Sequence, residues 1–200
     1  MLCKTQRKEK IMPPKARYTK EYIADIAYGI VRRDGLGALS ARSLAAELGT
    51  STAPIFTAFE NIEEVESAVV ERAEALYERY HREGLAMTPQ FKGTGIKYIQ
   101  FAKDEPNLFK LLFMRGDKRL EGSNYLPKEY KYESEIREQV ESDYGLSTDK
   151  ARDIYNHLSI YTHGLAVLYA QGSCVFSDEE VSRLLSEMFF ALTKGGEKDE

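Results

Sequence analysis

Apolar residues recur along this chain at intervals of three and four, and long alternating Val/Ile/Thr runs are missing, so the pattern predicts helices throughout. Ile23, Ile26, Ala27, Ile30 and Val31 mark one face of a first helix over about 20–35, with Thr19 as its cap and Asp34-Gly35 as its end. Leu44, Ala45 and Leu48 share a face of a short second helix that Ser40 caps and Gly49 closes. A third helix restarts at once, with Ser51 as cap, Pro54 in its first turn, and Ile55 and Phe59 as an apolar i,i+4 pair. Thr52, Ala53 and Thr57 are left facing outward. Two short helices joined by so tight a turn read as a helix-turn-helix.

Asn61 and Glu64 form a capping box for a long fourth helix, which the spacing carries to Arg82 or Glu83 before Gly84. Thr88-Pro89 reads as a cap followed by proline at the first helical position, opening a helix that ends near Asp104-Glu105-Pro106, where proline both stops and restarts the chain. Residues 115–124 read as a loop, and Pro127 opens a Tyr- and Glu-rich helix running to Tyr144-Gly145. Ser147 or Thr148 caps the next. There Ile154, Leu158, Tyr161, Leu165 and Leu168 form a heptad-like seam. Ser177 and Glu180 box the start of the last helix, whose apolar face holds Val181, Leu184, Leu185, Met188 and Leu192.

Charge divides the chain. Residues 1–60 hold ten Lys/Arg against six Asp/Glu, whereas residues 61–200 hold eighteen against twenty-six. A basic end carrying the helix-turn-helix, on an acidic remainder, suits a polyanionic partner. Residues 1–17 concentrate that excess, with Lys4, Arg7, Lys8, Lys10, Lys15 and Arg17 against Glu9 alone, and Pro13-Pro14 opposes helix there. They read as a flexible basic arm that either enters a minor groove or simply solubilises the chain. Cys3 and Cys174 imply no disulfide framework, and a reducing cytoplasm is expected; no apolar run suits a signal peptide or a bilayer span.

Leu44-Ala45, Leu48-Gly49, Ser51, Phe56 and Phe59, in that order and spacing, resemble the head of the TetR family of transcriptional regulators over residues 18–68. Residues 98–113 and Tyr161-Thr-His-Gly-Leu-Ala166 are similar to segments of the ligand domain in a subgroup of that family. The resemblance implies an all-α chain of three parts: a basic arm at 1–17, a three-helix DNA-binding domain at 18–66, and a helical ligand-binding and dimerisation domain at 67–200. It implies a ligand-responsive regulator, acting as a homodimer on a near-palindromic double-stranded DNA operator. Arg42, Ser43, Ser51, Thr52, Ala53, Phe56 and Thr57 would form the DNA face. Leu158, Leu165 and Leu168, with Val181, Leu184, Leu185 and Met188, would lie between protomers, although the same seams would equally pack against the chain's own core. Phe56, Ala58 and Ile62 stand where family members carry a phosphate-contacting Tyr, His and Lys.

No catalytic set or cofactor motif assembles. His157 and His163 project about 120° apart on a helix, which excludes a shared metal site. Tyr98, Phe101, Phe109, Phe113, Tyr125, Tyr132, His157 and Tyr161 suit an apolar cavity with a few polar tips, and core filling competes for most of them. A fold that kept a small-molecule pocket but lost DNA recognition is the nearer alternative; a small all-α enzyme is the farther one.

Overall fold

The computed structural model describes residues 18–115 and 133–194, and among them every regular element is helical. The helices are α1 (Lys20–Asp34), α2 (Ala41–Leu48), α3 (Ala53–Ala58), α4 (Ile62–Leu85), α5 (Gln90–Asp104), α6 (Pro106–Phe113), α7 (Glu133–Tyr144), α8 (Thr148–Ala170) and α9 (Asp178–Lys194). The basic arm and the segment before α7 lie outside the described residues. No described helix is long and apolar enough to cross a membrane.

Caps account for most of the boundaries. The Thr19 hydroxyl accepts the Tyr22 N–H at 3.2 Å to start α1. Asn61 accepts from Glu64 N–H at 2.8 Å, while the Glu64 carboxylate turns back to the Glu60 N–H at 2.7 Å, one residue earlier than a strict capping box requires. Ser147 caps α8, and Ser177 and Glu180 exchange both bonds at the start of α9. Two starts differ from expectation. The N–H of Gly93 meets the Pro89 carbonyl at 3.0 Å, so Pro89 is the cap of α5 and not its first helical residue. Thr52, and not Ser51, occupies the cap of α3, without a side-chain bond.

Gly84 corrects a third boundary, because α4 passes through it to Leu85. A Cβ at Gly84 would stand 2.7 Å from the Thr94 Cα, and one at Gly93 would stand 2.3 Å from the Gly84 carbonyl oxygen. The glycine therefore serves a close crossing of α4 and α5 and does not terminate a helix.

Ile23, Ala27 and Val31 of α1 join Ile55, Phe59, Val65, Val69 and the α5–α6 aromatics in one continuous core reaching Leu165 and Leu185. A second cluster gathers Val140, Ala151, Ile154, Leu158 and Phe189 at the far end. The two seams split between inside and outside. Leu158, Leu165, Val181 and Leu185 are buried within the chain, and Leu184 and Met188 are half-buried, each packed against one of the two clusters. Leu158, Leu165, Val181 and Leu185 thus belong to the protomer's own core, while Leu184, Met188 and Leu168 keep part of their surface exposed. Ile160 (47%), Leu168 (39%) and Phe190 (56%) are the large apolar groups exposed there.

Candidate functional site

Two regions carry chemistry, the helix-turn-helix and a cavity between the two core clusters. In the first, Ser40 and Ser43 exchange side-chain bonds with each other's backbone N–H, at 3.1 and 2.9 Å. Gly49 turns the chain with φ 65° and ψ 37°, and Thr50 N–H closes onto the Ala45 carbonyl at 3.0 Å. Ile55 and Phe59 anchor α3 in the core, with the Lys20 ammonium 4.9 Å from the centre of the Phe59 ring. That anchoring fixes which side of α3 looks out.

Ser51, Thr52, Ala53, Phe56 and Thr57 all lie on the exposed side, Phe56 at 48%. Ser43 is half-buried, and besides accepting the Ser40 N–H its hydroxyl donates to the Ala38 carbonyl at 2.7 Å, so it also holds the helix start. Thr57 likewise donates its hydroxyl to the Ala53 carbonyl at 2.9 Å. The cations around this face are mostly engaged. Lys20 pairs with Glu64, Arg33 with Asp34 at 2.9 Å and Glu47 at 3.3 Å, and Arg32 with Glu105. Arg42 is exposed and forms no ion pair among the described residues.

Arg32 and Glu105 join α1 to the start of α6. The Arg32 Nε donates to Glu105 Oε2 at 2.7 Å, its Nη2 donates to the other oxygen, and the carboxylate is buried. This bidentate bond pushes the Arg32 guanidinium above its ordinary value. The Asn107 amide donates to the carbonyls of Arg32 and Arg33 at 3.1 and 3.0 Å, satisfying the end of α1.

The cavity has a volume of about 360 Å³ and opens among α4, α5, α7, α8 and α9. Tyr77 and His81 enter from α4, Phe91, Lys92, Thr94 and Tyr98 from α5, and Tyr144 from α7. Leu158, Ser159, Thr162 and His163 of α8 face them, with Leu185, Ser186 and Phe189 of α9. The Tyr98 hydroxyl and His163 Nδ1 are 2.9 Å apart. Burial pushes the His163 imidazole below its ordinary value, which favours the neutral ring.

Of the residues expected in a pocket, Tyr98 lines this one. Phe101 and Phe109 are fully buried behind it, and Phe113 packs on Tyr98 and Tyr77 at 5.1 Å from each, so these three support the wall. Tyr161 is half-buried outside the lining, and His157 is exposed with Nδ1 2.7 Å from the Asp153 carbonyl of its own helix. Tyr125 and Tyr132 lie outside the described residues. Tyr77, His81, Tyr144, His163 and Phe189 were missed. For Tyr77 and His81 a signal existed: Val65, Val69, Ala73, Tyr77 and His81 form a strict every-fourth-residue buried stripe that turns polar at its end.

Neither a family model nor a curated protein matches the chain in sequence. Among solved structures, the crystal structure of a TetR-like transcriptional regulator from Rhodococcus sp. RHA1 is similar, with a TM-score of 0.66 and 13% identity over 91% of this chain and 100% of that one. At that identity the likeness is one of architecture. The chain has the all-α fold of a TetR-like regulator.

Proposed function

We propose that this protein is a cytoplasmic, DNA-binding transcriptional regulator, a repressor acting as a homodimer on a near-palindromic operator and responding to a small molecule held in the cavity. The observation that carries the reading is the helix-turn-helix itself. Ile55 and Phe59 lock α3 so that Thr52, Ala53 and Phe56 form an exposed, contiguous face at the end of the chain where the basic residues gather. The likeness to a solved transcriptional regulator supports it. Exposed Ile160, Leu168 and Phe190 offer apolar area to a second copy on α8 and α9. The cavity, lined by rings with a few polar tips, suits an effector.

One observation favours the nearer alternative, a binding module without DNA recognition. Phe56 offers a phosphate no hydroxyl, and Ile62 packs against the core. A gel shift with the DNA flanking the protein's own gene decides between them. A complex resistant to random competitor DNA, with half-sites about one helical turn apart, is expected; equal affinity for flanking and random DNA overturns the regulator reading.

A further inference from the structure

The cavity's charge is asymmetric. Lys92 is the one Lys, Arg, Asp or Glu among its described lining residues, and no carboxylate faces it there. It is half-buried and takes part in no ion pair among the described residues, unlike Lys97 one turn and a half further on, which is 2.7 Å from Glu83. Toward the other end stands the Tyr98 and His163 pair, two polar groups bonded to each other at 2.9 Å. Lys92 and Tyr98 both belong to α5, where their backbone positions stand about 9 Å apart along the helix axis at 1.5 Å per residue. The lining is otherwise uncharged among the described residues, rings and aliphatic groups such as Phe91, Tyr144, Phe189 and Leu158 together with the hydroxyls of Thr94, Ser159, Thr162 and Ser186.

We infer that the cavity binds an aromatic monocarboxylate that carries a hydroxyl or carbonyl at its opposite end. This rests on the reading of the cavity as a ligand site and names the class of ligand. A lone ammonium with three donors matches one carboxylate. A dianion such as a phosphate monoester would leave a charge uncompensated in a largely apolar enclosure. A cationic ligand would meet Lys92 with no acid among the described lining residues to offset it. The flat walls favour a ring system, which gains offset or edge contacts with Phe91, Tyr144 and Phe189 at small cost in conformational entropy. The Tyr98 hydroxyl, held by His163 Nδ1 at 2.9 Å, is the polar group that meets the distal oxygen, and the imidazole tautomer sets whether it accepts or donates there.

The test is calorimetric titration of the full chain with a hydroxynaphthoate whose two substituents sit at opposite ends of the fused ring, and with the primary amide of the same molecule. The acid is expected to bind tighter than the amide by on the order of tenfold, the worth of one charge-assisted hydrogen bond. Lys92→Met should bring the two to equal affinity while leaving the thermal unfolding midpoint in place, and Lys92→Gln repeats the comparison with a polar side chain. In Tyr98→Phe the preference for the hydroxylated acid over plain naphthoate should disappear. Equal binding of acid and amide by the unaltered protein overturns the carboxylate assignment and leaves the cavity as a ligand site. Binding of neither overturns the cavity reading as well.

Discussion

The helix-turn-helix and the cavity are built in opposite ways. Around α2 and α3 each boundary is set within a few residues of sequence, by the Ser40 and Ser43 exchange, by the left-handed Gly49 and by the Asn61 cap. The core beneath them is filled: Leu44, Ile55 and Phe59 are essentially inaccessible. Around the cavity, position depends on contacts across the chain, a glycine crossing of α4 on α5 and rings drawn from five helices, and the apolar groups stop short of filling the space. Closely packed interiors transmit small changes, and an enclosure with room to spare accepts them. A fixed outward face and a chamber with room left in it thus rest on different packing.

Breaking the crossing should have the largest effect. Gly93→Ala would place a methyl 2.3 Å from the Gly84 carbonyl oxygen and 2.6 Å from the Met87 Cβ, and is expected to cost about 3 kcal/mol in urea unfolding. Gly29→Ala in α1, where no atom comes within 4 Å of the added carbon, should instead raise stability by about 0.5 to 1 kcal/mol. A similar loss in both would remove the distinction between local and crossing glycines. Next comes the outward face of α3. Thr52→Ala should cost about 1 to 3 kcal/mol on the preferred site and much less on random DNA, while Arg42→Ala should weaken both alike and lower the salt slope by about one. Equal losses for Thr52→Ala on both DNAs would refute the recognition role of α3.

Asn107→Ala leaves the carbonyls of Arg32 and Arg33 without their amide and should cost about 1 kcal/mol, read as a lower urea midpoint at constant slope. The smallest effect concerns His163. Its folded-state value lies below the ordinary 6.5, so the unfolded chain binds a proton more readily than the folded one. The stabilisation is complete above the ordinary value and is lost as the pH falls from there through the folded value. His163→Gln should flatten the dependence of the unfolding midpoint as the pH falls through and below the ordinary value. An unchanged profile would show that burial of this ring is not felt in stability.

The head was readable in the sequence because capping and turn chemistry is local: Thr19, Ser40, Gly49 and Asn61 each act within a few residues of their own position. Ser51 misled because the chain enters α3 without a side-chain cap, so a good capping residue one position early had nothing to bond. Gly84 misled for the opposite reason, since its role is to let Thr94 approach from another helix. The cavity was legible at Tyr98 only. Aromatic richness identifies candidates, but whether a ring faces a void, as Tyr144 does, or backs onto other rings, as Phe109 does, depends on helices far apart in the chain, as with Tyr98 and His163, sixty-five residues apart. His163 stands in the sequence within a segment similar to a ligand domain and beside His157 as a rejected metal ligand, whereas its neighbour in the fold is the Tyr98 hydroxyl.

In mechanical terms α1 is a beam held near its two ends by two different supports, with the Lys20–Glu64 pair adding to the α4 side. Near its N-terminal end Arg72 of α4 bonds Asp25 at 2.8 Å and the Glu21 carbonyl at 3.3 Å; at the other end Glu105 and Asn107, at the start of α6, grip Arg32 and Arg33. The fasteners at Asp25 and Arg32 stand about 10 Å apart along the helix axis. A sideways slip of about 1 Å between α4 and α6 would tilt such a beam by about 5°, and over a beam of fifteen residues, about 22 Å long, the free end would swing by nearly 2 Å. The tilt of α1 is thereby tied to the offset between two supports, and moving both together leaves it unchanged.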